Sequence, residues 1–222
     1  MRNIGYQMRL GCSAFFGDAA IAFVMIIGNY VYMRYLGEDG VAAFSIACYC
    51  FPVVFNVGNA IVVSAQPIIS FAYGVGNSER VGLALKLGLL TAIGVGLSGI
   101  LLMSIGSPLV ASLFLDAECN AYHIAIDGLP IFGVGFLFIA INLMMVGYMQ
   151  SIKRARDAAF YTFMRGYVLV LLAFMVMPSI WGVSGIWAAM PSAEFVTTML
   201  LLVHHFVFGR RRRHNNARIL SN

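Results

Sequence analysis

Six apolar runs, each close to the length of a bilayer crossing, dictate what this chain can fold into. They fall at about 12–34, 43–66, 84–104, 125–149, 158–178 and 183–207. Roughly 20 residues of α-helix cross a hydrocarbon core about 30 Å thick. Barrel strands would be near 10 residues long and would alternate, and no such alternation is present. Only 10% of the residues are charged while 61% are hydrophobic, against about 25% charged in soluble domains. The sequence therefore predicts an all-α polytopic membrane protein: a six-helix transmembrane bundle over 1–208 and a basic tail over 209–222. The first run is too long for the apolar region of a cleavable signal peptide, and none is expected. Cys48 and Cys50 stand two apart on a helix and read as packing residues.

The basic residues set the orientation. Short breaks separate the runs at 36–40, 74–81, 107–121, 151–157 and 177–182. Of the 14 Lys and Arg, 13 lie on the side of the termini and of the second and fourth breaks, and Arg34 alone lies on the other. The positive-inside rule places that side, with both termini, in the cytoplasm. The GRRRRH tail then reads as an anchor against anionic lipid, and no nucleic-acid partner is expected.

Polar residues inside the runs carry the functional signal, because each is expensive in hydrocarbon unless it meets a partner or water. At 100° per residue, Ser45, Asn56, Asn59, Gln66 and Ser70 fall within roughly 80° of one another, with Tyr49 and Pro67 near the edge. Two readings remain open: hydrogen bonding between helices, or the wall of a wet cleft. In the first run Asp18, Asn29 and Tyr32 share a face. Asp18 is an ionisable group at membrane depth, where burial disfavours its charged form, so it is a candidate for proton uptake or cation binding. Structural hydrogen bonding is the alternative.

In the last run Trp187, Glu194, Thr198 and His205 line one face. Glu194 reads either as an ion-binding carboxylate or as a partner for backbone freed by Pro191. Asp127 reads as a solvated acid in the first turn of its helix. Arg165, about two turns inside the fifth run, either snorkels to the surface or pairs within the bundle. Gly88, Ala92 and Gly96, with Gly99 nearby, have the spacing that lets another helix approach closely.

The stretch QPIISFAYGVGNSERV, residues 66–81, marks the end of the second run. Pro67 cannot donate to the carbonyl of Val63, so Gln66-Pro67 predicts a bend. Gly74 and Gly76 permit a tight turn, and Asn77 or Ser78 can cap the next helix. No strand precedes this Gly-x-Gly, which argues against a phosphate loop. No Ser/His pair, aspartate pair or His-Glu-x-x-His is visible, so no enzyme, metal site or cofactor is expected.

This segment resembles one in the multidrug and toxic compound extrusion (MATE) transporters of the bacterial branch. They typically show Gln-Pro-hydrophobic-Ile-Ser-aromatic-Asn-Tyr-Gly, a turn, and Arg-Val. Here Gln66, Pro67, Ile69, Ser70, Phe71, Tyr73, Gly74, Arg80 and Val81 match, and Ala72 replaces the asparagine. GYMQSIKRAR at 147–156 and GIWAAMPSAE at 185–194 are similar to later segments of the family.

The resemblance implies one lobe, the C-terminal one, of a twelve-helix fold with a central cleft between two lobes. It implies export of amphipathic, often cationic drugs from the bacterial inner membrane, driven by sodium ions or protons. Asp18 and Glu194 would bind the coupling ion, and Asn29, Tyr32, Asn56 and Asn59 would line the cleft. A homodimer partner or a second lobe would complete it. The alternatives are a lipid-linked oligosaccharide flippase of the same superfamily and a non-transporting membrane fragment.

Overall fold

The computed structural model describes the backbone of residues 2–220 and the side chains of residues 19–205. It is all-helical: α1 (Arg2–Gly74), α2 (Ser78–Ile105), the short α3 (Ser107–Ser112), α4 (Asn120–Ser151), α5 (Ala155–Phe163), a π-helical stretch (Met164–Leu169) and α6 (Val170–Leu220). Four of these stretches are long and apolar enough to cross a membrane: Ala19–Gly74, Ser78–Ile105, Asn120–Ser151 and Ala155–His205.

Two of them fold back on themselves. Gly37 has φ 67° and ψ −154° within α1, and Gly182 has φ 58° and ψ −130° within α6. Only glycine enters that region without a large Cβ penalty. The Tyr32 and Phe44 rings lie 4.3 Å apart, although twelve residues of straight helix would separate them by about 18 Å. In α6 the Ser192 hydroxyl donates to Met177 Sδ at 3.5 Å, across fifteen residues that would span about 22 Å. The chain therefore reverses at both glycines, giving each helix two antiparallel arms.

At the other end of the bundle the reversals use a different device. The Gly76 amide bonds to the Tyr73 carbonyl at 3.2 Å and the Asn77 amide to the Ala72 carbonyl at 2.9 Å. This is a Schellman cap, with Gly76 at φ 76° in the left-handed position. Asn77 Oδ1 then accepts from the Arg80 amide at 2.9 Å and caps α2. The same cap closes α4, where the Lys153 amide bonds to Gln150 and the Arg154 amide to Met149. Lys153 holds the left-handed position there, at φ 63°.

Helical limits differ from the apolar pattern in three places. The second arm of α1 runs on to Gly74, and its backbone stays helical through Pro52 and Pro67. Neighbouring helices stabilise an apolar helix across a proline, so the helix continues past Gln66-Pro67 rather than ending near residue 66. Asp127 lies two turns inside α4, exposed, because that helix already starts at Asn120. The 107–121 break is not featureless, since it contains α3.

The core gathers around α4. Tyr32 stacks on Phe44, and Trp187 meets Tyr32 and Phe132 edge-on with centroids 5.0 and 6.5 Å apart. Gly128 lies under Trp187, where any Cβ would overlap the indole. The small-residue face of α2 packs on α4 as its spacing predicts: Gly88 meets Met144, Gly99 meets Phe136, and Ala92 is fully buried. A Cβ on Gly96 would sit 2.5 Å from the Leu137 Cα, a backbone atom that cannot step aside. Gly94, two residues earlier, has open space around it.

This contrast predicts the outcome of a pair of substitutions. Gly96→Ala should lower stability by about 1–3 kcal/mol through overpacking. Gly94→Ala should be neutral or slightly stabilising, because alanine is the better helix former. Thermal denaturation midpoints of the two purified variants in the same detergent check both signs.

Candidate functional site: a buried ion pair beside a cavity

A charge inside this bundle must find its opposite, because the apolar interior leaves no solvent to carry it. Glu194, on the second arm of α6, is 2% exposed. Its Oε1 lies 3.3 Å from the Nε of Arg165. Asn142, in the middle of α4, is fully buried and donates from Nδ2 to Glu194 Oε2 at 2.7 Å and to the Glu194 carbonyl at 2.9 Å. Thr198 donates to Asn142 Oδ1 at 2.9 Å. One carboxylate thus ties α4, the π-helical stretch and α6 together.

The π-helical stretch has a local role in this. Widening the helix at Met164–Leu169 places Arg165 and Gly166 on the buried side, and Gly166 allows Ala20 of α1 to approach. The Arg165 guanidinium lies over Phe55, 5.9 Å from the ring centroid, a cation–π contact on a partly desolvated cation. Beside the pair is a cavity of about 60 Å³. Arg165, Glu194 and Thr162 supply its polar edge, and Val24, Phe51, Phe55 and Met190 are among its apolar walls.

A second polar cluster lies near the end of the bundle where α4 joins α5. Arg154 Nη1 is 3.3 Å from His204 Nε2, and Tyr161 Oη is 3.1 Å from His204 Nδ1. Arginine only donates, so Nε2 is the acceptor and the ring proton of neutral His204 sits on Nδ1, facing Tyr161. Asp157 flanks both, 3.9 Å from Arg154 and 3.8 Å from His204. His205 meets the Tyr148 ring edge-on.

The residues singled out in the sequence separate into distinct places. Glu194 is at the centre of the network. Its carboxylate goes to Arg165 and Asn142 rather than to backbone near Pro191. Asp18 lies outside the described side chains. Asn56 and Asn59 are exposed on the second arm of α1, together with Ser70, while Ser45 is half-buried. Asn56 donates to the Pro52 carbonyl and half-buried Asn29 to the Met25 carbonyl, each within its own helix. Gln66 donates to Gln150 Oε1 at 3.0 Å and so links α1 to the end of α4. Gly74 ends α1 in open surroundings.

Tyr32 is a correction. It is 1% exposed in the aromatic core, not on a cleft. Its helical phase matches Asn29, but the fold-back at Gly37 lays Phe44 over that face. Asn142 was missed in the sequence, although an amide in the middle of the most apolar helix is itself a signal.

The long apolar helices define a polytopic, all-helical membrane protein. The MatE family profile matches residues 14–176, well over half of the 222, and the chain belongs to that family, whose members are transporters and not enzymes. No curated protein sequence matches it.

Solved structures share the fold. An outward-facing MATE multidrug resistance transporter of the MOP superfamily superposes with TM-score 0.81 at 21% identity, covering 92% of this chain and 45% of its own. A MOP superfamily transporter from Pyrococcus furiosus gives 0.80 at 20% identity, with coverage of 92% and 45%. An inward-facing MATE multidrug resistance transporter gives 0.77 at 21% identity, with coverage of 92% and 47%. The chain thus spans about half the length of these structures.

Two stability predictions follow from the geometry. Arg165→Met or Glu194→Met alone leaves an uncompensated buried charge and should cost about 3–5 kcal/mol, while the double variant should recover most of that loss. Denaturation midpoints of the three variants in detergent test it; an additive double variant would contradict the pairing. Among the described residues, the buried Tyr32 Oη has no hydrogen-bond partner. Tyr32→Phe should therefore raise stability by about 1 kcal/mol, since the orphaned hydroxyl is removed, whereas a cleft tyrosine would show no gain.

Proposed function

We propose that this chain works as one six-helix lobe, the C-terminal one, of a cation-coupled antiporter that exports amphipathic, often cationic compounds. The six crossings are the two arms of α1, α2, α4, the run from α5 into the first arm of α6, and the second arm of α6. The lobe sits in the bacterial inner membrane with both termini in the cytoplasm, as the distribution of Lys and Arg supports.

The observation that carries the reading is the exposed face of the second arm of α1. Asn56, Asn59, Ser64 and Ser70 lie on it, interleaved with Val53, Val57 and Val63. Amides turned outward at membrane depth are costly against lipid. They are inexpensive against a water-filled cleft closed by a second lobe, and the half-length match to MATE structures supports such a partner. The partner is either a second six-helix unit or another copy of this chain. A mixed face of short amides and valines suits varied amphipathic molecules, and the rocking of one repeat against another suits secondary transport.

Coupling by sodium ions or protons is assigned to Asp18. Glu194 is a weaker candidate than its position at membrane depth suggests. Arg165 already neutralises it and Asn142 occupies its second oxygen.

Ethidium efflux from cells carrying the two-lobe assembly tests the assignment. Asp18→Asn should abolish gradient-driven efflux, and wild-type efflux in that variant would remove Asp18 from the mechanism. The six-helix chain alone, reconstituted as a monomer, should not exchange ethidium for protons or sodium.

A further inference from the structure

The geometry points to the cavity beside Arg165 as a subsite for a monoanionic head group of the carboxylate class, carried on an apolar aromatic body. It rests on the transporter reading only in calling the bound molecule a cargo.

The argument begins with unmatched donors. A guanidinium carries five N–H groups and no acceptor. Arg165 reaches Glu194 through Nε. Among the described residues its Nη1 and Nη2 have no acceptor, and its other contact is the Phe55 ring. Nor are these atoms sealed off: the Tyr32 hydroxyl is the buried polar group lacking a partner among the described side chains. Arg165 borders open space, and the cavity is that space.

The sign of the ligand follows from what is already used. Both carboxylate oxygens of Glu194 are engaged, one by Arg165 and one by Asn142. The Thr162 hydroxyl donates to the Ala158 carbonyl at 2.9 Å. Among the described residues, acceptors facing the cavity are thus largely spent while donors are in surplus, which disfavours a cation and favours an anion. The fixed fork of Nη1 and Nη2 matches the two oxygens of a carboxylate. The Arg165–Glu194 pair is neutral as a unit, so a carboxylate adds one uncompensated charge and a dianion two, and the monoanion is the less costly of them in this apolar setting.

The size of the space agrees. About 60 Å³ admits a head group or a few waters but not a whole drug. The body of the ligand would lie along Val24, Phe51, Phe55 and Met190, which are contributed by both arms of α1 and by α6. Arg165 would then decide which amphipathic molecules the lobe accepts.

The test uses the full chain in detergent micelles and calorimetric titration with three probes: biphenyl-4-carboxylate, its neutral amide, and ethidium, with empty micelles as blank. The carboxylate should bind at least tenfold more tightly than the amide. Arg165→Gln should abolish that preference, and Arg165→Lys, which keeps the charge without the fork, should restore part of it. Glu194→Gln should tighten carboxylate binding severalfold, because it removes a competing negative charge.

Equal binding of acid and amide by the wild-type chain would overturn the proposal. So would a preference that survives Arg165→Gln, or weaker carboxylate binding by Glu194→Gln. If Arg165→Gln does not fold, the wild-type acid-to-amide ratio and the direction of the Glu194→Gln effect decide. Ethidium efflux by the two-lobe assembly without any acid preference here would sink this subsite and leave the exporter reading intact. Acid preference without efflux would do the reverse.

Discussion

A carboxylate and a guanidinium 3.3 Å apart in an apolar bundle dictate which helices stay together. Neither charge can be left in hydrocarbon on its own, so separating the second arm of α6 from the π-helical stretch strands both. Asn142 adds α4 to the pair, and its two bonds, to the carboxylate and to the backbone carbonyl of Glu194, fix the height of one helix against the other. Dispersion between apolar helices is nearly indifferent to sliding, since lipid offers similar contacts. Directional polar bonds are not. The network therefore supplies register where apolar packing supplies only proximity.

Close approach between helices comes from small residues, and the two kinds of device are complementary. Gly96 and Gly88 of α2 and Gly128 of α4 allow neighbours to reach the backbone or lie flat on it. The turns divide in the same systematic way. At one end Gly37 and Gly182 reverse the chain with positive φ and strongly negative ψ. At the other, Gly76 and Lys153 end helices through Schellman caps. Lys153 occupies a left-handed position that an L-residue enters at a cost of about 1–2 kcal/mol, which the two cap hydrogen bonds offset.

The contrast between Asn56 and Tyr32 shows how far helical phase can be taken. Both were placed on polar faces by the same periodicity. Asn56 is exposed, because among the described residues no element packs against that side of the second arm. Tyr32 is enclosed, because the chain returns over it at Gly37 and brings Phe44 and Trp187 into contact. Phase says which residues of one helix share a side. It is silent on whether another helix, lipid or water occupies that side. Asn142 illustrates the converse: without neighbours to form a stripe it produced no periodic signal, yet it occupies the centre of the charge network.

Length, hydropathy and turn chemistry are local, so the sequence by itself determined the helical membrane class, the small-residue face of α2, and the Gly76–Asn77 turn with its cap. Segment resemblance alone pointed to the MATE family. The partner of Glu194 was different. Arg165 is 29 residues away in the chain, and its direction depends on a π-helical widening that composition does not announce. Only the tertiary structure could join them, because electrostatic compensation depends on distance through space, and the reversal at Gly182 decides that distance.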